Sequence, residues 1–342
     1  MWLDTYIIYK EEMNKKLSQA IKYILSAGVA AILLYFSFRE VKWEDFIQGL
    51  RECRWEYIIL SMTAGVAAFW FRGGRWRQLI LPFDHETSRI TTFNAVNIGY
   101  IANFVFPRIG EFVRCGVITR RSAPSEDGSG QKKATYEKVL GTVVLERSWE
   151  LLVMLLLLAV VVVGGFNRFG GFFVEQIWTP MTERFDSGAW WIVALFAALS
   201  GFGLYALWRF RKTNALCMKV WGIFRGILQG FASCMKMEKK WLFFAYTATI
   251  WILYWIMAAS TMWAVPFMDE LDLIDALFLS LVGGLGFAVP VPGGIGAFHF
   301  IISLTLATMY GVPTELGIVY ATLSVPSEDI SIENKDHEPP YL

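Results

Sequence analysis

The 342-residue chain is 55% hydrophobic and 18% charged, with a formal net charge of +1. Soluble domains hold about 45–50% apolar and about 25% charged residues, so this balance excludes an ordinary soluble domain and points to a membrane protein. Four cysteines without a CxxC pair and only three histidines argue against a disulfide framework, a zinc site or any other metal cage.

Apolar runs near membrane-spanning length occupy residues 21–38, 57–71, 139–163, 189–208 and 241–265. Lys10, Lys15, Lys16 and Lys22 precede or open the first run with no small-residue cleavage signal after it, which predicts an uncleaved signal anchor with its N-terminus in the cytoplasm. Met13-Asn-Lys-Lys reads as a natural start, making residues 1–12 an upstream extension. Residues 39–56 are expected as an outer loop of mixed charge, and Arg72, Arg75, Arg77 and Arg89 as a cytoplasmic cluster after the second span. The next apolar stretch, residues 90–113, is too short for two spans and is bounded by basic residues at both ends, so it is expected as a re-entrant hairpin or a very short helix pair. A third span leads outward to residues 164–188, a fourth returns, and residues 214–235 have the spacing of a basic amphipathic helix, lying on the membrane or packed against other spans. After the fifth span comes an acidic outer loop with Asp269, Glu270, Asp272 and Asp275. The last apolar run stops at Val325, short of a full span, before a polar tail.

Two Pro-Gly breaks interrupt this pattern. The first reads Gly99-Tyr-Ile-Ala-Asn103-Phe-Val-Phe-Pro107-Arg108-Ile-Gly110-Glu111, and the second reads Gly286-Phe-Ala-Val-Pro290-Val-Pro292-Gly293-Gly294-Ile-Gly296-Ala-Phe298. Helix-breaking backbone at membrane depth survives only where protein buries it or a wet cavity receives it. Matching breaks in two halves of a membrane protein point to a transport site. Charge counting puts the entry of the first break inside and of the second outside, as an inverted repeat requires. The fold class expected is therefore all-α, a polytopic membrane protein with an inverted-repeat arrangement and two re-entrant broken-helix hairpins. Its parts are a cytoplasmic segment at 1–20, a transmembrane domain at 21–325 with repeat halves near 57–163 and 241–325, and a tail at 326–342.

Candidate binding residues gather at these breaks. Asn97, Asn103, Arg108, Glu111 and Arg114 surround the first; with Pro107 opening a helix, Arg108 and Glu111 would sit on its first turn and could pair. Arg108 either staples the hairpin or grips a phosphate with its planar fork. Glu146, Arg147 and Glu150 lie inside the third span, the two glutamates on one face, with Arg108 or Arg114 as the expected neighbour. Pro292, Gly293, Gly294 and Gly296 free the backbone to turn, so a helix restarting there offers N–H groups to an anion. His299, one turn further, reads as a packing histidine or a proton-linked switch.

At these residues the chain resembles the lysylphosphatidylglycerol synthase transmembrane-domain family, the flippase-like portion of multiple-peptide-resistance factors. The pieces that carry the resemblance are Asn97, Asn103, Pro107-Arg108-Ile-Gly110-Glu111 and Arg114, then Glu146-Arg147, then Pro292-Gly293-Gly294-Ile-Gly296, across residues 15–325. The resemblance implies a lipid-translocating domain with the head group passing near the two breaks. An aminoacyl-transferase domain like that of the bifunctional members is not expected, so lipid lysylation is not carried over, and His299 stands where many members have Glu. The function expected is a flippase that moves a phosphate-bearing lipid, a phospholipid or a polyprenyl-phosphate lipid, between leaflets of a bacterial-type inner membrane. The alternatives are a membrane-embedded transferase acting on a lipid-linked sugar, or a non-transporting membrane partner. No Walker A loop, GxSxG or HExxH is present, so neither catalysis nor a cofactor is expected. Nucleic acid is not an expected partner, and a homo-oligomer is compatible with this reading.

Overall fold

The structure, a computed structural model, describes residues 42–105, 108–122, 133–171, 237–287 and 296–324, with single positions before and between them. The expected first and fourth spans, the amphipathic helix at 214–235, Pro107, Pro292, Gly293 and the tail lie outside the described residues. Among those residues the fold is all-helical.

The stretch expected as an outer loop contains a helix, α1 (Trp43–Arg51). Its charges obscure a helical spacing of Trp43, Phe46, Ile47 and Leu50, and Phe46 and Gly49 are the residues it buries. The stretch expected as the second span forms α2 (Trp55–Ile80), which runs well past residue 71 and at 26 residues is about 39 Å long. It packs along α6 (Lys240–Ala264). At one end the Arg54 N–H donates to the Ala264 carbonyl at 2.9 Å, and two turns further in the Ser61 and Thr261 hydroxyls meet at 3.0 Å. The third span is α5 (Tyr136–Gly164), followed by a π-helical turn (Phe166–Gly170). Of the described helices, α5 and α6 are long and apolar enough to cross a bilayer.

Each break separates two short helices. α3 (Arg89–Val105) and α4 (Gly110–Arg121) flank the first, and α7 (Leu273–Gly286) and α8 (Ala297–Tyr310) the second; α9 (Thr314–Ser324) then folds back on α8. Between 12 and 17 residues long, the four hairpin helices reach about 18–26 Å. The matched glycines Gly99 and Gly286 mark where each pair closes. A Cβ on Gly99 would lie 3.0 Å from the Gly110 carbonyl oxygen, and one on Gly286 would lie 3.0 Å from the Phe298 Cα. Only glycine allows backbones this close.

The two hairpins start and finish at opposite ends of the bundle. Before α3, the Asp84 carboxylate accepts from the Ser122 hydroxyl just after α4 at 2.7 Å, and Lys133 reaches Glu86 at 3.1 Å. At the other end, Tyr310 closing α8 donates to Asp275 in the first turn of α7 at 2.7 Å. Asp272 caps α7 by accepting from the Ile274 and Asp275 N–H groups. Arg168 bonds both Asp272 and Asp275, and Arg54 pairs with Asp269 at 2.5 Å.

Candidate functional site: a charged network and a cavity between two broken helices

Glu146 and Glu150 stand one turn apart on α5, so both face α2 and α4. A chain of ion pairs runs through them. Arg114 of α4 reaches Glu146 Oε2 at 2.9 Å, and Arg75 of α2 bonds both Glu146 Oε1 at 3.2 Å and Glu150. Glu150 also takes Arg72 at 3.0 Å and Arg147 at 3.1 Å, and Arg147 goes on to Glu111 at 3.0 Å. Arg75 and Glu146 are fully buried. Arg72 donates to the Tyr254 hydroxyl at 2.6 Å and stacks over Tyr100, while Arg114 stacks over Trp76 at 4.6 Å.

Arg72 and Arg75 do not lie past the end of the second apolar run, where the charge pattern put them. Because α2 continues to Ile80, both residues fall inside the helix on its buried face, where only the α5 glutamates make their charges tolerable. Of the two neighbours anticipated for the glutamates, Arg114 is the one that meets Glu146. Arg108 differs from expectation as well. Helix α4 begins at Gly110, and Arg108 sits before it with φ of +61°, a left-handed conformation uncommon outside glycine. Glu111 lies on the first turn and pairs with Arg147. Asn103 holds the turn by accepting from the Gly110 N–H at 2.7 Å.

Next to this network opens a cavity of about 790 Å³, within the roughly 300–1,000 Å³ usual for ligand sites. One part of its wall is charged: Arg72, Arg108, Glu111, Arg147 and Glu150, with Asn103 and Tyr100. Another part is apolar, with Leu140, Val143, Met154, Ile250, Leu279 and Phe287 among its residues. Asn103 and Arg108 come from the first break, Phe287, Val291 and Gly294 from the second. At Gly294 φ is +69°, and a Cβ there would lie 2.3 Å from the Phe287 ring, so the turn is closed to any larger residue. Gly296, at φ +86°, sets the start of α8, whose first-turn residue Phe298 reaches the cavity wall.

A family model described as the lysylphosphatidylglycerol synthase TM region matches residues 23–324. The chain belongs to this family. No curated protein and no solved structure matches it. Membership makes it a membrane protein of a lipid-related family and accords with the two bilayer-length helices.

Within this family member the predicted residues that are described fall into three groups. Asn103, Arg108, Glu111, Arg147, Glu150 and Gly294 line the cavity; Arg114 and Glu146 lie behind it in the ion-pair network. Asn97, Gly296 and His299 are not part of the cavity wall. Asn97 is half-buried on α3, and His299 is buried in α8 with its ring edge-on to Phe298. Sequence reasoning missed Arg72, Tyr100, Trp251, Tyr254 and Ser280 as lining residues. The signal available for Arg72 and Arg75 was the pair of glutamates one turn apart in the third span, which need cationic partners.

At the Arg54 end the Arg54–Asp269 and Arg168–Asp272 pairs are exposed. The Arg54 guanidinium hydrogen-bonds Asp269 and holds that carboxyl below its usual range. Burial pushes Asp272 up, but the Asp275 backbone N–H and Arg168 outweigh it, so Asp272 is lowered too.

Proposed function

We propose that this protein is a lipid flippase that moves a phosphate-bearing lipid between leaflets, with the head group crossing through the cavity between the two breaks. The observation that carries this reading is the cavity itself: one space lined by both broken segments, charged on one part and apolar on another. A lipid has the same two chemistries. The arginine forks match phosphate oxygens, and the apolar wall suits acyl or prenyl chains.

In this reading α3–α4 and α7–α8 are re-entrant hairpins of an inverted repeat. Their lengths of 12 to 17 residues fall short of the roughly 30 Å hydrocarbon core. Their termini gather at opposite ends of the bundle. The buried network then fixes α2, α4 and α5 as a rigid wall, and the head group exchanges water for arginine as it passes. The protein supplies a path and carries out no covalent step. Without a nucleotide motif, movement is passive or ion-coupled.

Proteoliposomes containing acyl-labelled phosphatidylglycerol test this, with dithionite reporting the label in the outer leaflet. The protein should bleach the inner-leaflet label much faster than empty vesicles, and Arg147→Gln should slow it about tenfold or more, the factor for one lost charge-assisted contact. Rates equal to empty vesicles, or rates untouched by Arg147→Gln and Arg108→Ala, would overturn the proposal.

A further inference from the structure

The two hairpins are tied to the rest of the bundle in different ways. Hairpin α3–α4 is held by charge inside the bundle: Arg114 reaches the buried Glu146 of α5 at 2.9 Å, and Glu111 takes Arg147 at 3.0 Å. Breaking the buried pair is strongly destabilising, because the other charge stays buried, so α4 stays with α5. Asn103 closes the turn of this hairpin by accepting from the Gly110 N–H at 2.7 Å.

Hairpin α7–α8 has no such anchor. From residue 276 to residue 310 the sequence contains no Asp, Glu, Lys or Arg. The ion pairs that reach it sit on the rim where α7 begins: Arg54 with Asp269, and Arg168 with Asp272 and Asp275. Trp255 of α6 donates to the Leu273 carbonyl at 2.6 Å on the same first turn. In the Arg54–Asp269 and Arg168–Asp272 pairs every side chain is 38–51% exposed, and exposed pairs contribute little. Below the rim the hairpin meets α5 through apolar and small residues. Leu158 and Val161 share a cluster with Phe278, Leu281 and Val282, and a Cβ on Gly284 would lie 3.0 Å from the Met154 sulfur. Contact of this kind is non-directional and survives the sliding of one helix along another. Within the hairpin, Tyr310 holds Asp275 and Gly286 lies against the Phe298 backbone, so α7 and α8 move together.

We infer that the two hairpins are mechanically unequal: α3–α4 is a fixed wall and α7–α8 a moving gate, with Arg54 and Arg168 as the positioning residues that latch it at the rim. This rests on the flippase reading for what the gate passes. Phe287, Val291 and Gly294 of the second hairpin line the cavity, so a shift at the rim reshapes that wall. Asn103, Arg108 and Glu111, on the first hairpin, stay in place and keep hold of the head group.

Distances between paired spin labels in nanodiscs test the inference. Ile274→Cys with Val163→Cys reports the second hairpin against α5, and Arg121→Cys with Glu137→Cys reports the first; all four side chains are exposed. Cys217 and Cys234 are replaced by serine, and the buried Cys53 and Cys115 stay. Arg54→Gln/Arg168→Gln should lengthen and broaden the Ile274–Val163 distances and leave the Arg121–Glu137 distances as they were. In proteoliposomes the same variant should move acyl-labelled phosphatidylglycerol several-fold faster, up to about fivefold for each exposed pair lost, because a rim that opens in every cycle is held less firmly. Should that variant fail to fold, Arg54→Asp gives the same comparison, and adding Asp269→Arg, which restores the latch in reverse, should return both readouts toward wild type. Ile274–Val163 distances unmoved by loss of the latches, or Arg121–Glu137 distances that change as much, would overturn the inequality and leave the flippase reading standing. A gate that moves as expected in a protein that carries no lipid would remove the flippase reading and keep the gate. A gate that moves with transport no faster would overturn the role given to Arg54 and Arg168.

Discussion

Glu146→Gln should be among the most damaging single changes in the protein that leave side-chain size intact. Glu146 is fully buried and joins Arg114 at 2.9 Å to Arg75 at 3.2 Å. Arg75 keeps Glu150 when Glu146 is neutralised, but Arg114, 3% exposed, loses its carboxylate. Breaking a buried pair by removing one charge costs about 3–5 kcal/mol because the other charge stays buried. At about 2 °C per kcal/mol for a large chain, the melting temperature in detergent should fall by about 6–10 °C. The double variant Glu146→Gln/Arg114→Met removes the stranded charge and keeps a stem to lie on Trp76, so it should recover much of that loss. Thermal unfolding of the single and double variants gives the answer. A double variant that melts lower than Glu146→Gln would refute the reasoning, since it would mean that Arg114 stabilises the fold without its partner.

Four further outcomes follow from other parts of the structure. Gly110→Ala would put a Cβ 1.9 Å from the Gly99 carbonyl oxygen and should prevent the first hairpin from closing, seen as loss of monodisperse protein. Gly116→Ala on the same helix meets nothing within 4 Å and should be neutral or stabilising by about 0.5–1 kcal/mol. Arg168→Gln should lower thermal stability by about 1–3 kcal/mol, because the Asp275 carboxylate, fully buried, keeps only polar partners such as Tyr310. On the pH axis, Asp269 is lowered in the folded protein by Arg54, so the pair contributes above the ordinary carboxylate pKa of about 3.9 and is lost as pH falls through the lower folded value. Asp269→Asn should therefore flatten the acid side of the stability profile, leave pH 7–9 unsloped, and matter less in high salt.

The long elements were legible because their signal is local. The apolar runs behind α5 and α6 admit no other reading, and the Pro-Gly interruptions marked both breaks within a few residues. Glu146 and Glu150 pointed to a buried cationic partner for the same reason: a carboxylate there needs one. What the sequence could not say was which arginines answered. Arg72 and Arg75 look like any basic cluster at a span end, and counting charges cannot separate a helix that stops at residue 71 from one that runs to Ile80. Helix α1 was hidden by Glu44, Asp45 and Arg51, although its apolar residues recur at helical spacing. The cavity is a tertiary property: Tyr254, Ser280 and Phe287 belong to separate helices, and only their packing makes them neighbours.

The most direct test of the whole account is a high-resolution map of the protein in a nanodisc of phosphatidylglycerol. A phosphate-sized density within hydrogen-bond reach of Arg108 and Arg147, with chain density running toward Leu279 and Phe298, is the predicted result. A cavity filled by protein side chains, with every lipid confined to the outer surface of α5 and α6, would contradict it.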